Sequence, residues 1–213
     1  MQTLIQAIQH YQPYNEQEEN DRRVMLKLLE TQPDILDRSN QVAHFSASAW
    51  VLNQNHTKIL MIYHNIYHSW SWTGGHADGE ANLLQVAVRE AQEETGVQNI
   101  KVLSEDIFSL EILTVDGHEK RGKYVPSHLH LNVTYLLEAD EEEVLRIKPD
   151  ENSGVKWLSF CFFVRCRISS VFSLLNLIRR PIHLIDAYAT KILTKTPTNL
   201  VAPPTPLSII PEM

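Results

Sequence analysis

An α/β fold with a helical N-terminal extension follows from three features of the 213-residue sequence. Apolar residues recur at helical spacing before residue 40, short strand-like runs begin at Val42, and a helix-period segment from about Asn82 to Thr95 separates them from further strand-like runs.

In the first stretch, Leu4, Ile5, Ile8 and Tyr11 share one helical face, and Val24, Leu26, Leu28 and Leu29 repeat the pattern in a second helix over 15–31. Gln12-Pro13-Tyr14 separates the two. Pro33 closes the second, because proline disfavours helical geometry in the residue before it. Residues 1–40 therefore read as a helical extension and 41–160 as the catalytic-sized domain. Strands are expected over Val42–Leu52 and Lys58–Tyr63, joined as a hairpin by the turn formers Asn53-Gln54-Asn55-His56. An aromatic stretch containing Tyr67, Trp70 and Trp72 follows; its rings could stack on a base, and the favoured reading is core packing beside a sheet. Gly74-Gly75 is expected to form a tight bend leading into the loop His76-Ala77-Asp78-Gly79, and the helix after it stops at Gly96, which takes the left-handed conformation at least cost. Further strands are expected at 100–103, 107–115, 129–137 and 154–158.

Residues 161–213 read as an atypical, partly irregular C-terminal segment. From residue 158 onward, six Lys or Arg face two acids, so the chain's net charge of −7 arises before that point. Arg165 and Arg167 interrupt the apolar run there, and Ile168–Ile178 is too short to span a bilayer. Five prolines beyond Thr194 suit irregular chain. The change of texture also suits a shifted reading frame or an unusual extension in place of a C-terminal helix.

The negative charge argues against binding a nucleic-acid backbone, which depends on clustered Lys and Arg displacing counterions. An acidic protein that acts on phosphates needs a cation between the two. The N-terminus lacks the basic and apolar regions of a secretory signal, and Cys161 and Cys166 are too few for a disulfide scaffold. A cytoplasmic protein without membrane association is expected.

The chemistry concentrates in Arg89-Glu90-Ala91-Gln92-Glu93-Glu94-Thr95-Gly96-Val97. Glu90, Glu93 and Glu94 stand at i, i+3 and i+4, which places three carboxylates on one helical face. Like charges at that spacing cost roughly 0.2–0.5 kcal/mol per pair on an exposed helix. A divalent cation offsets the repulsion, with magnesium the first candidate because it binds few carboxylates while keeping waters and phosphate oxygens. Leu84, Ala87, Val88 and Ala91 occupy another face and anchor the helix on a sheet. Arg89, four residues before Glu93, can hold that carboxylate in one orientation. An acidic face alone reads as solvated surface. The Gly-Gly before it, the adjacent arginine and the terminating glycine favour a metal-binding face.

Together Gly75 to Val97 resemble the Nudix box: Gly, five residues, Glu, seven residues, Arg-Glu, an apolar residue, any residue, Glu-Glu, any residue, Gly and an apolar residue. One position departs, since Ala81 stands where the pattern has Glu and Glu80 comes one place early. The likeness extends from about Val42 to Trp157. It implies a Nudix-type α/β/α sandwich with a mixed sheet, and a hydrolase that cuts the diphosphate linkage of a nucleoside diphosphate derivative or related phosphorylated metabolite with Mg2+ or Mn2+. It also implies Glu90, Glu93 and Glu94 as metal ligands, the Gly75 carbonyl as a further ligand, and Arg89 as the residue that orients the cluster. Glu93 is then the expected base for the attacking water, with Glu151 as a candidate from a later loop that otherwise reads as a solvated acid. Substrate-binding residues and oligomeric state are left open by the sequence. His128 and His130 share a strand face that could contact phosphate or metal, and the favoured reading is an ordinary polar strand face.

Two other readings compete. An isomerase of the same superfamily acting on an isopentenyl diphosphate calls for a cysteine in the front half of the domain, and none precedes Cys161. A non-catalytic module that senses a nucleotide or metabolite is opposed by the intact glutamates.

Overall fold

The computed structural model describes residues 1–120 and 122–159. The expectations for 161–213 lie outside the described residues. Helices α1 (Gln2–His10) and α2 (Glu16–Thr31) open the chain. Asn15 caps α2 by accepting the Glu18 N–H at 3.0 Å, and Gln32, before Pro33, ends it. The chain continues through strands β1 (Ala43–Asn53), β2 (Lys58–His64), β3 (Ser69–Ser71) and β4 (Thr73–His76), then helix α3 (Leu83–Thr95). It goes on through β5 (Ile100–Val102), β6 (Ser109–Val115), β7 (His118–Lys120), β8 (Lys123–Val125), β9 (His128–Ala139) and β10 (Asn152–Ser159).

Eight strands form one mixed sheet with the path β10-β2-β1-β9-β5, while β3 joins β2, β4 joins β1 and β6 joins β9. The β1–β9 pair is parallel, and the other pairs are antiparallel. The β1–β2 hairpin closes where Asn53 Oδ1 accepts the Thr57 and Lys58 N–H groups at 2.8 and 2.9 Å. Strand β1 is buried along its whole length, and its side chains alternate by chemistry. Ala43, Phe45, Ala47, Ala49 and Val51 belong to a hydrophobic cluster shared with Leu131 and Val133 of β9 and with buried residues of all three helices. His44, Ser46 and Ser48 point to the opposite face, beside His130, Asn132 and Thr134 of β9. Here Ser48 Oγ meets Thr134 Oγ1 at 2.8 Å, and Asn132 Nδ2 donates to Ser48 Oγ at 3.0 Å. Among the described residues no helix is long and apolar enough to cross a membrane.

Gly74 and Gly75 are not the expected bend. They are paired residues of β4, opposite Ser48 and Ala47 of β1. The glycines are needed for close approach, since a β-carbon on Gly74 would stand 2.8 Å from both the Ala47 carbonyl oxygen and Ser48 Cβ. The chain turns instead at Asp78 and Gly79, with φ of +48° and +86°. Asn82 then caps α3 by accepting the Gln85 N–H at 3.2 Å, and Gly96 ends the helix at φ +83°.

Candidate functional site

Strand β4 and helix α3 meet around Gly74 and Gly75. The Glu90 carboxylate lies against Gly75, where a β-carbon would come within 2.4 Å of Cδ. Glu94, only 2% exposed, accepts the Gly74 N–H at 2.9 Å. Burial raises the pKa of Glu90 although Arg89 Nη2 donates to it at 3.1 Å. Burial also pushes Glu94 up to about 8, opposed by the Gly74 N–H and reinforced by the nearby charges of Glu151 and Glu90.

Glu93 stands apart from the other two. Its side chain is 47% exposed, and it meets Lys148 Nζ at 2.9 Å and Arg89 Nε at 3.9 Å. Lys148 also reaches Glu151, 2.8 Å away, so one ammonium joins both carboxylates expected to serve as a base. Burial works against that charge, but the two carboxylates more than offset it and raise the lysine's pKa. Arg89 thus lies closer to Glu90 than to Glu93. Glu80, displaced from the box position, turns back to accept the Asn82 N–H at 2.7 Å.

The donor chemistry of this group fits a hard divalent cation. The buried Glu94 and part-buried Glu90 are raised by desolvation, which is the condition a bound cation relieves, and the third carboxylate is exposed and held by long, flexible cationic side chains.

The carboxylates border a cavity of about 830 Å³, within the range that holds a nucleotide-sized ligand. The aromatic stretch expected in the core contributes to its wall. Tyr67 is 53% exposed and stacks on His64 with ring centroids 4.4 Å apart, and both line the cavity with Trp72. Trp72 also packs on Trp50 at 5.5 Å. Trp70 packs edge-on against Tyr63 and carries Lys156 Nζ 4.1 Å above its ring.

Six histidines line the same cavity, and four of them converge. His128 and His130, expected on an ordinary polar strand face, are joined by His44 and His76, and one ligand nitrogen from each lies within 4.8 Å of all the others. Among the described residues, the potential metal ligands that converge in this way are these imidazoles, not the glutamates. Burial pushes His76 down to about 3 and His130 to about 2, helped by neighbouring imidazoles and by Arg38, and it lowers His44 as well. At the cavity mouth Arg38 pairs with Asp78, with Nε 2.6 Å from Oδ1, and lowers that carboxylate's pKa. Sequence reasoning missed His44 and His76 because nothing in their spacing reveals which strands pair.

Comparison with known proteins places these features in a family. A family model for the NUDIX domain matches residues 42–161. Bis(5'-nucleosyl)-tetraphosphatase (asymmetrical) of Rattus norvegicus is 27% identical over 92 residues, which is 43% of this chain and 56% of the relative, so the chain spans little more than half of that protein. Similar solved structures include a C. elegans Ap4A hydrolase binary complex, with 19% identity, coverage of 69% of this chain and 98% of that one, and a TM-score of 0.47. Another is a NUDIX-family hydrolase of Clostridium perfringens, with 19% identity, coverage of 58% and 86%, and a TM-score of 0.42.

Proposed function

The chain belongs to the NUDIX family, and from that premise we propose that it is a Nudix-type pyrophosphohydrolase acting on the diphosphate linkage of a nucleoside diphosphate derivative or related phosphorylated metabolite. One observation carries the reading: the carboxylates of Glu90 and Glu94 pack against the two glycines of β4 at the edge of a cavity large enough for such a substrate. The name of the rat relative adds dinucleoside polyphosphates to the candidate substrates.

Glu90, Glu93, Glu94 and the Gly75 carbonyl are the proposed ligands of Mg2+ or Mn2+, which when bound supplies charge neutralisation at the phosphate oxygens and a more acidic water. Gly74 N–H holds Glu94, and the absence of a side chain at Gly75 leaves room for Glu90. Arg89 opposes the upward shift that burial imposes on Glu90 and borders Glu93, acting as a positioning residue. Glu93 accepts the proton from the attacking water. Lys148 steers it and draws Glu151 into the same cluster. Tyr67 and Trp72 offer aromatic faces on which a base can stack.

The test is a product assay with nucleoside diphosphate sugars, dinucleoside polyphosphates and oxidised nucleotides, in magnesium and in chelator, for the unaltered chain and Glu93→Gln. Metal-dependent release of products, reduced about 100-fold or more by the substitution, is expected. Binding without products would replace this reading with that of a metabolite-sensing module.

A further inference from the structure

We propose that His44, His76, His128 and His130 form a binding site for a divalent transition-metal ion of the zinc class, distinct from the glutamate site on α3. The inference goes beyond the proposed hydrolase function and does not depend on it.

Three strands deliver the four rings. In the parallel β1–β9 pair His44 stands opposite His130, and in the antiparallel β1–β4 pair His76 stands opposite Ser46, two residues beyond His44 on the same face. His128 precedes His130 by two residues and shares its face. The ring centroids of His44 lie 4.9–5.0 Å from those of the other three.

Hydrogen bonding sets which nitrogens face one another. His44 Nδ1 lies 3.0 Å from the Asn40 carbonyl and His128 Nδ1 lies 2.8 Å from the Pro126 carbonyl. A carbonyl only accepts, so each Nδ1 carries the proton and, in the neutral ring, each Nε2 presents a lone pair. The His44 Nε2 is buried without a hydrogen-bond partner, while His128 Nε2 meets His130 Nε2 at 3.1 Å. A histidine that donates one nitrogen to a backbone carbonyl and turns the other inward has the arrangement that orients metal-bound imidazoles.

Neither a packing role nor a protonated anion clamp accounts for this cluster as well. A buried lone pair without a donor is unfavourable in a purely structural role. Four imidazolium charges about 5 Å apart would repel one another. A bound cation satisfies all the inward nitrogens together.

The donor type selects the ion. Imidazoles suit zinc, copper, nickel and iron, whereas magnesium takes oxygen ligands, so the histidines and the α3 carboxylates differ in selectivity. At Zn–N distances of about 2.0–2.1 Å, tetrahedral ligands lie roughly 3.3–3.4 Å apart. The nitrogens here lie within 4.8 Å, so modest side-chain rotation brings them to coordination distance. Because neutral ligands leave the ion's charge uncompensated, such a site also draws anionic groups into the shared cavity.

The full chain, stripped by a chelator, is titrated with Zn2+ and Co2+. Bound metal is measured by elemental analysis and calorimetry, and the cobalt complex by visible absorption. About one equivalent of zinc with a Co2+ spectrum of tetrahedral intensity is expected, retained in Glu93→Gln and weakened at least tenfold in His44→Gln and His130→Gln. Zinc should also raise the thermal midpoint of the unaltered chain and not of those variants. Circular dichroism of the metal-free variants checks folding, and His76→Gln serves as a further variant if either fails to fold. Absence of bound zinc, or binding that disappears with Glu93→Gln and persists in the histidine variants, overturns the proposal. The magnesium-dependent product assay is a separate readout, so failure of one proposal leaves the other to stand on its own result.

Discussion

The Glu90 carboxylate occupies the space that a β-carbon on Gly75 would need, with both carboxylate oxygens 2.7 Å from that position. The overlapping atoms are the far end of a flexible side chain, so Gly75→Ala is expected to displace Glu90 while the fold survives. Magnesium-dependent turnover should fall about 10- to 100-fold, as expected when a metal-binding group is moved from its place. An unchanged turnover would contradict the proposed role of Glu90.

Gly74→Ala should behave in the opposite way. Its β-carbon would meet the backbone of β1, which cannot rotate aside, so the strand pairing itself must shift. The expected result is a loss of roughly 1–3 kcal/mol in stability, measured by denaturant unfolding. Equal stability of the two alanine variants would refute the distinction.

The contrast between these glycines also marks what was legible in the sequence. Local signals placed α3 well, because Asn82 and Gly96 are end signals whose effects act within a few residues. The hairpin between β1 and β2 was legible through its turn formers for the same reason. Gly74-Gly75 carried a turn signal too, but close approach to β1 required the same residue type in a strand, and only the tertiary pairing separates the two causes. The motif therefore identified the helix bearing Glu90, Glu93 and Glu94, while the Lys148 contact that holds Glu93 aside depends on a loop 55 residues away. The histidine group was illegible in the same sense. It requires β1 to pair in parallel with β9, which brings His44 beside His130 across 86 positions.

The N-terminal helices contribute to the same core as the sheet, since Ile8 and Met25 are fully buried in the cluster that contains Phe45 and Leu131. Met25→Ala should therefore cost about 2–5 kcal/mol. Calorimetric or denaturant unfolding of the full chain provides the check, and a loss below about 0.5 kcal/mol would mean that α2 is only loosely attached.

A pH-dependent contribution is expected away from the proposed active site. Burial alone would raise the Glu138 pKa, but Lys101 and His56, each 3.0 Å from one of its oxygens, hold it below its ordinary value. A carboxyl depressed in the folded state contributes stability above its unfolded pKa and loses it as pH falls through the folded value. Glu138→Gln should thus cost about 1 kcal/mol at neutral pH, with the difference from the unaltered chain vanishing in acid. A constant difference from about pH 7 to pH 3 would assign the effect to packing.

Lys148 offers the sharpest test of how the carboxylates are arranged. Its ammonium holds Glu93 at 2.9 Å and Glu151 at 2.8 Å, so a divalent cation seeking Glu93 meets a competitor already in place. Replacing the lysine with methionine removes that competitor and a like charge beside the proposed cation, while retaining most of the apolar stem. Coulomb attraction between the cation and the acidic cluster then rises, and the magnesium needed for half-maximal activity should fall roughly threefold or more. The maximal rate should fall as well, because Glu93 and Glu151 lose the group that joins them. A magnesium titration of Lys148→Met separates the two effects, and a higher magnesium requirement would mean that the lysine organises the carboxylates for the metal and does not compete with it.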